Sequence, residues 1–166
     1  SFFPAKPLGC FGDGGAIFCQ SEDLRSQLEQ VRNHGQSQRY VHDRMGYNGR
    51  MDTIQCAILM AKLKRYPWEV EQRQKIATTY SEELSGVEGL ETPFLDGEGT
   101  SVFAQYTLKV TDREGFQKKL SELGVPTSIH YPKGMHQQKA MAAYAPKAPL
   151  EVTERLCDQV ISLPLY

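Results

Sequence analysis

The chain has 166 residues, of which 40% are hydrophobic and 23% charged, a composition typical of one globular domain and not of a disordered or fibrous chain. Its 19 basic and 20 acidic residues give a formal net charge of −1, which argues against the basic surface of a nucleic-acid-binding protein and favours catalysis or the binding of a small polar ligand. No apolar run reaches the roughly 20 residues that cross a bilayer, and the first residues lack the pattern of a signal peptide, so we expect a cytoplasmic protein.

The first third of the chain is predicted to contain one strand and one helix between two loops. Residues 1–15 are rich in proline and glycine and indicate a loop, whereas the apolar run 16–19 suits a short buried strand. Ser21 and the two acidic residues after it predict a helix over residues 22–33. Its inward side would carry Leu24, Leu28 and Val31. The polar and aromatic segment 36–49 has no regular period and indicates a long loop.

Two helices are predicted next, separated by Pro67. Apolar residues at helical spacing predict the first over residues 51–63, with Asp52 near its start and basic residues near its end, as the helix dipole favours. Pro67 is expected to end it. The second covers about residues 68–84, and Gly86 lies just beyond its end.

The remaining segments predict alternating strands and helices. Residues 87–100 indicate turns, and the alternating apolar residues of 102–110 predict a strand. A helix follows over 112–124, with Phe116, Leu120 and Leu123 facing inward. A second short strand is expected at 127–129 and a last helix at 151–161. This order predicts an α/β or α+β unit of two packed layers.

Lys6 is the first candidate for chemistry, because prolines stand at positions 4 and 7 and aromatic residues precede it. The prolines restrict the backbone from which the lysine side chain leaves. An amine held among apolar groups has its charged form disfavoured, which a lysine that forms Schiff bases requires. An ordinary surface lysine in a proline-rich loop is the alternative that this local sequence leaves open.

Asn48 and Arg50 precede the helix predicted over residues 51–63. Asn48 is suited to cap that helix, while the helix terminus and Arg50 are suited to bind a phosphate or a carboxylate. Capping alone accounts for Asn48. It does not account for Arg50, because a cation near the positive end of a helix is unfavourable without an anion.

His130 and Tyr131 follow the strand predicted at 127–129, where binding groups are often presented. His136 lies six residues on, but a third ligand is not close in sequence, so a zinc site is not favoured. The glycines of 12–15 lack the spacing of a phosphate-binding loop. A Gly-x-Ser-x-Gly motif is also absent from the sequence, which leaves a serine hydrolase without support.

Several of these segments, taken in order, resemble one known family. They are Ser1–Gly9, Gly12–Ala16, His34–Gln36, Gly46–Asp52, Gln55–Leu59, Ile129–Pro132 and Ser162–Pro164. The chain is similar over its whole length to the DegT/DnrJ/EryC1/StrS nucleotide-sugar aminotransferases, fold type I enzymes that use pyridoxal 5′-phosphate. Residues 6–10 and 12–18 share their sequence with members that aminate a UDP-linked 3-keto-hexuronic acid.

The resemblance implies a fold and a division into domains. It implies an α/β fragment of a fold type I aminotransferase, about half as long as a family member. Residues 1–66 would be the end of the large cofactor domain, with the active-site lysine and a dimer-crossing loop. Residues 67–86 would be a connecting helix, and residues 87–166 would be most of a small C-terminal α+β domain, truncated.

The resemblance also implies roles for five residues. Lys6 would bind pyridoxal 5′-phosphate through a Schiff base and act as the catalytic lysine. Asn48 would reach the cofactor phosphate of the neighbouring subunit in a homodimer. Arg50 would bind a substrate carboxylate or phosphate, and His130 and Tyr131 would hydrogen-bond the sugar.

The implied activity is pyridoxal-phosphate-dependent transamination of a keto-sugar nucleotide, with an amino acid such as glutamate as donor. The pathway would be amino-sugar biosynthesis for cell-surface polysaccharide such as lipopolysaccharide. Two alternatives stay open: amination at C4 of a 4-keto-6-deoxy sugar nucleotide, and a non-catalytic fragment that lacks much of the cofactor pocket. We expect the chain by itself to be inactive. A 3,4-dehydratase of the family is disfavoured, because histidine replaces the lysine in those enzymes.

Overall fold

The structure is a computed structural model that describes residues 1–95, 97 and 99–165. The chain divides into two compact units, Ser1–Pro67 and Trp68–Tyr166. The predicted domain 87–166 includes three positions that lie outside the described residues, namely Asp96, Glu98 and Tyr166. Among the described residues, none of the helices combines the length and the apolar character needed to cross a membrane.

Helix α1, Glu22–Arg32, follows the proline- and glycine-rich loop, as predicted. The Ser21 hydroxyl accepts a hydrogen bond from the backbone N–H of Leu24 at 3.2 Å and caps the first turn. Beyond the helix, Gly35 adopts a φ of +77°, and a Cβ there would lie 1.7 Å from the carbonyl oxygen of Arg44. The prediction that one side of α1 is buried is wrong. Leu24 is exposed and Leu28 and Val31 are only half-buried, because little of the first unit covers that side of the helix.

Two further sequence predictions for this unit are wrong. Residues 16–19 form no strand; Ile17 is 73% exposed and Phe18 93%, because no described segment pairs with them. The expected loop 36–49 contains an antiparallel hairpin of β1, Gln36–Gln38, and β2, Val41–His42. Its strands are short and polar, so they lack the apolar alternation by which a strand is recognised in sequence.

Helices α2, Thr53–Leu63, and α3, Tyr66–Glu83, match the two predicted helices, but the break between them is misplaced. α2 ends before Pro67, and Pro67 lies in the first turn of α3. A proline is tolerated there because its missing N–H has no partner to serve within the helix. Gly86, with a φ of +75°, follows α3 as expected.

The second unit contains a three-stranded antiparallel sheet in the order β3-β4-β5. Its strands are β3, Leu90–Glu91, β4, Tyr106–Val110, and β5, Val160–Leu163. Helix α4, Arg113–Glu122, contacts β5, and helix α5, Glu151–Gln159, contacts β4. Two short 3-10 helices, Met135–Gln137 and Lys139–Tyr144, lie between α4 and α5.

Several boundaries in this unit differ from the predictions. The last helix ends at Gln159, and Val160 and Ile161 begin β5, because a short apolar run fits a helix and a strand equally well. Residues 127–129 contribute one β-bridge between Ser128 and Ser162 and no full strand. β4 is shorter than predicted, β3 falls in the expected turns, and Leu123 is exposed.

The core of the second unit lies between β4, β5 and α3. Alternate residues of β4 are buried, as the period of a strand with one covered face requires. The buried cluster consists of Ala77, Phe103, Tyr106, Leu108, Val110, Ile161 and Leu165. The buried Tyr106 hydroxyl is hydrogen-bonded to the hydroxyl of Ser81 at 2.7 Å, which satisfies the one polar atom of its side chain.

Ile161→Ala tests this core. Ile161 is fully buried, so removing most of its side chain should lower the free energy of unfolding by about 2–5 kcal/mol. The matched control is Val152→Ala on α5, where the side chain is 59% exposed and the change should stay within about 0.5 kcal/mol. Urea unfolding followed by circular dichroism measures the free energy of unfolding of both variants. Equal losses of that free energy in the two variants would contradict the assignment of the core.

Candidate active site

Lys6 lies in a loop that backbone hydrogen bonds close on itself. The Lys6 N–H donates to the carbonyl oxygen of Phe3 at 2.9 Å. The Cys10 N–H donates to the carbonyl oxygen of Phe2, and the Phe2 N–H donates to that of Gly14, both at 2.8 Å. These bonds fix the backbone on both sides of the lysine.

The thiol of Cys10 occupies the inside of this loop. Cys10 is fully buried, and its Sγ lies 2.9 Å from the carbonyl oxygen of Phe2 and 3.1 Å from that of Gly12. A thiol is a weak donor, and here it faces two backbone acceptors. Cys10 therefore acts as a structural part of the loop that carries Lys6.

Two side chains of α2 hold the loop from outside. Gln55 Oε1 accepts a hydrogen bond from the Phe11 N–H at 2.8 Å, and Lys62 Nζ donates to the carbonyl oxygen of Gly9 at 2.5 Å. Gln55 and Lys62 are seven residues apart, which places them on one face of the helix. α2 is thus the support on which the Lys6 loop rests.

The side chain of Lys6 itself is exposed, and its amine has no hydrogen-bond or ion-pair partner among the described residues. The described residues do not enclose this amine, and Phe3, three residues before it, is 50% exposed. What the structure provides is a free amine on a constrained backbone. Its catalytic role stays a prediction.

Asn48 and Arg50 are held by the end of α1 and not by the start of α2. The N-cap residue of α2 is Asp52, so the expectation that Asn48 caps this helix is wrong. Asn48 pairs with Asn33 in an isolated β-bridge, and Arg50 Nη1 donates to Asn33 Oδ1 at 2.8 Å. The reason is the chain reversal at Gly35, which returns the backbone alongside α1 before α2 begins. The amide side chain of Asn48 is exposed.

A polar cleft of about 360 Å³ opens beside Arg50. It is lined by Ser26, Glu29, Gln30, Arg32, Asn33, Gln36, Ser37 and Arg50. Glu29 is paired with Arg25 at 3.2 Å, and this hydrogen bond, together with Glu22, raises the pKa of the Arg25 guanidinium. Neither arginine of the cleft has an ion-pair partner among the described residues, so the cleft suits an anionic or strongly polar group.

His130 and Tyr131 lie in the second unit, next to each other on the loop after the Ser128 bridge. His130 is half-buried, and its Nδ1 lies 3.2 Å from the hydroxyl of Ser162. Tyr131 is 68% exposed, and its ring meets that of His130 edge-on with centroids 5.5 Å apart. One polar edge of His130 is therefore engaged, while the exposed phenol of Tyr131 is available to a ligand.

The predicted site residues form three groups: Lys6 on its loop, Asn48 with Arg50 beside α1, and His130 with Tyr131. Among the described residues, no hydrogen bond or ion pair joins Lys6 to Asn48 or Arg50. Sequence reasoning missed the residues that support these groups, among them Gln55, Asn33 and Ser162. The pattern offered no signal for them, because each acts through a contact that is distant along the chain.

The amino-acid sequence of this chain is similar to that of known aminotransferases. A family model described as the DegT/DnrJ/EryC1/StrS aminotransferase family matches residues 1–166. The chain is 46% identical over 166 residues to a UDP-2-acetamido-2-deoxy-3-oxo-D-glucuronate aminotransferase of Pseudomonas aeruginosa, covering 100% of this chain and 45% of that protein.

The fold of this chain is also similar to that of solved aminotransferase-family structures. DesV of S. venezuelae, solved in complex with a ketimine intermediate, superposes with a TM-score of 0.95 at 34% identity, over 99% of this chain and 44% of that one. Ntda of Bacillus subtilis, solved with bound cofactor PMP, gives a TM-score of 0.87 at 31% identity, over 99% and 40%. The predicted fold is confirmed, and the chain spans less than half the length of these relatives.

Gly9→Ala tests the packing of the Lys6 loop. A Cβ at Gly9 would lie 2.5 Å from the carbonyl oxygen of Phe3 and 2.7 Å from that of Pro4, so the backbone has to move. Overpacking of this kind costs about 1–3 kcal/mol, which predicts roughly 5- to 150-fold faster amide exchange at Lys6 and Cys10.

Gly15→Ala is the matched control, because a Cβ there has nothing within 4 Å. Hydrogen–deuterium exchange with mass spectrometry should show little change in this variant. Unaltered exchange in the Gly9 variant would mean that the loop is not closed as described.

Proposed function

The chain belongs to the DegT/DnrJ/EryC1/StrS aminotransferase family, and on that basis we propose that it is part of an enzyme that transfers an amino group to a keto-sugar nucleotide, with pyridoxal 5′-phosphate as cofactor. The proposed substrate is a UDP-linked 3-keto-hexuronic acid, supported by the 46% identity to the Pseudomonas aeruginosa enzyme named above. The proposed donor is an amino acid, glutamate, and the proposed assembly is a homodimer. The observation that carries the proposal is the free amine of Lys6 on a loop that α2 holds in place.

The chemistry of the described residues fits this cofactor. The amine of Lys6 is exposed and unpartnered within the described chain, as a group that reacts with an aldehyde has to be. The amide of Asn48 is exposed as well, and an amide N–H is a donor suited to a phosphate oxygen. When bound, pyridoxal 5′-phosphate supplies an electron sink for negative charge that develops on the α-carbon of the donor.

Lys6 would have two tasks in this reaction. It would hold the cofactor covalently through its amine and, once released by the donor amino acid, it would take the proton from the α-carbon of that donor as a general base. Both tasks need the amine at a fixed place. The hydrogen bond that Gln55 accepts from the loop backbone and the one that Lys62 donates to it would provide this placement.

The other residues would bind and orient. Asn48 would donate a hydrogen bond to the cofactor phosphate of the neighbouring subunit. Arg50 would bind the carboxylate of the hexuronic acid, because a planar guanidinium matches a carboxylate in geometry and charge. One nitrogen of Arg50 is used by Asn33, and the remaining N–H groups stay available to the substrate. His130 and Tyr131 would hydrogen-bond sugar oxygens.

Lys6 should be the residue that carries the cofactor. Borohydride reduction of the full-length protein loaded with pyridoxal 5′-phosphate, followed by peptide mass spectrometry, should place the pyridoxyl group on Lys6. Lys6→Ala should lose the label together with the activity. Lys64→Ala, which removes an exposed lysine just after α2, should keep both. A label on any other lysine would refute the assignment.

Arg50→Gln should weaken the binding of an acidic sugar selectively. Loss of charge-assisted hydrogen bonds worth about 1.5–3 kcal/mol predicts a KM for the UDP-3-keto-hexuronic acid that is raised roughly tenfold to a hundredfold. The KM for the matching sugar without the carboxylate should change little.

Arg44→Gln serves as the control, since Arg44 is an exposed arginine of the same segment. If Arg50→Gln raised the KM equally for the sugar with the carboxylate and the sugar without it, the assignment of Arg50 to the carboxylate would be contradicted. A wild-type protein that prefers a 4-keto-6-deoxy sugar nucleotide would favour amination at C4 in place of C3.

A further inference from the structure

Three side chains, of Thr107, Ser162 and His130, form a chain of hydrogen bonds from β4 through β5 to the loop that carries His130 and Tyr131. Thr107 Oγ1 lies 2.9 Å from Ser162 Oγ, and Ser162 Oγ lies 3.2 Å from His130 Nδ1. Ser162 is 4% exposed, so water has little access to the middle member. A buried hydroxyl between two partners has defined donors and acceptors, and not the rotational freedom of a surface serine.

The backbone fixes the two ends of this chain. Thr107 and Ser162 are paired residues in the antiparallel register of β4 and β5, so their side chains leave the sheet on the same face. Ser128 and Ser162 exchange two backbone hydrogen bonds, of 2.7 Å and 3.2 Å. His130 lies two residues after Ser128, whose backbone is bonded to Ser162. The backbone therefore holds His130 close to Ser162, the residue that its ring contacts.

Each direction of donation along this chain leaves one proton without an acceptor among the described residues. If Thr107 donates to Ser162 and Ser162 donates to Nδ1 of His130, the hydroxyl protons of Thr107 and Ser162 both reach acceptors within the chain. In the opposite direction Nδ1–H donates to Ser162 and Ser162 donates to Thr107, whose own proton then has no acceptor among the described residues. The first direction leaves the ring proton on Nε2, which has no hydrogen-bond partner in the described part of the protein. The unpaired proton is then the one that an oxygen of the proposed sugar substrate would accept.

We propose that Ser162, oriented by Thr107, is a positioning residue that holds the ring of His130 with Nε2–H presented to the substrate. This inference rests on the proposed role of His130 as a sugar-binding residue. The histidine then offers a donor at a fixed place to an oxygen of the sugar. Neither hydroxyl touches the substrate; both act through the ring.

Ser162→Ala in the full-length protein tests the proposal. The KM for the keto-sugar nucleotide should rise about threefold to tenfold, as expected for the loss of one hydrogen bond that orients a ligand group. Labelling of Lys6 by borohydride should be unchanged, because the proposal gives Ser162 no part in cofactor binding. Ser128→Ala is the matched control, since it removes a hydroxyl from the same β-bridge that has no hydrogen bond to His130.

A spectroscopic readout separates positioning from general damage to the fold. In protein with 15N-labelled histidine, the ring signals of His130, assigned with His130→Gln, should show the Nε2–H tautomer in the wild type and a mixture in Ser162→Ala. Thr107→Val should shift the balance in the same direction, whereas Thr107→Ser, which keeps the hydroxyl, should match the wild type. These two variants leave Ser162 in place should Ser162→Ala fold poorly.

The outcomes are distinct. An Nδ1–H tautomer in the wild type, or an unaltered tautomer in both Ser162→Ala and Thr107→Val, would overturn the proposal. So would an equal effect of Ser128→Ala. If the protein aminates no keto-sugar nucleotide, the proposed function fails, while the tautomer measurement still decides whether Ser162 positions the ring.

Discussion

The antiparallel pairing of β4 with β5 is the constraint on which the second unit depends. Its register sets Leu108 opposite Ile161, and both side chains are fully buried in the core. Because side chains alternate between the faces of a strand, the same register sets Thr107 opposite Ser162 on the other face. A slip of one residue would exchange the two faces. The pairing that builds the core therefore also builds the support of His130.

The first unit holds its candidate residues by a different means. Among the apolar side chains that are described in this unit, only that of Cys10 is buried, so hydrophobic burial contributes little there. Polar side chains of α2 instead reach the backbone of the Lys6 loop: the hydrogen bond of Gln55 contributes about 0.5–1.5 kcal/mol and that of the charged Lys62 about 1.5–3 kcal/mol. Hydrogen bonds are directional, whereas apolar contacts are not. These hydrogen bonds thus fix the geometry of the loop that carries the lysine.

The sequence reveals those parts of this fold that depend on neighbours along the chain. The cap of α1 at Ser21 and the glycines that follow α3 and α4 are local signals, and the helices were predicted closely. Pairing between distant segments leaves no local signal, which is why the sequence predicts a loop where the hairpin of β1 and β2 lies and a helix that runs on through Val160 and Ile161, the first two residues of β5. The supports of the site follow the same rule, since Thr107 and Ser162 are 55 residues apart. Lys6, Asn48, Arg50, His130 and Tyr131 are candidates on local sequence alone, and the specific role of each comes from the family resemblance.

Arg50 is stabilised by its hydrogen bond to Asn33. In sequence it precedes α2, where the positive end of a helix disfavours a cation unless an anion is bound. In the structure its guanidinium is bonded to Asn33, the C-cap residue of α1, where the negative end of a helix favours a cation. Arg50 therefore needs no anion to be stable in this place. An arginine that is already oriented loses less conformational freedom when a carboxylate binds, so the contact with Asn33 would prepare the side chain for the carboxylate of the proposed substrate.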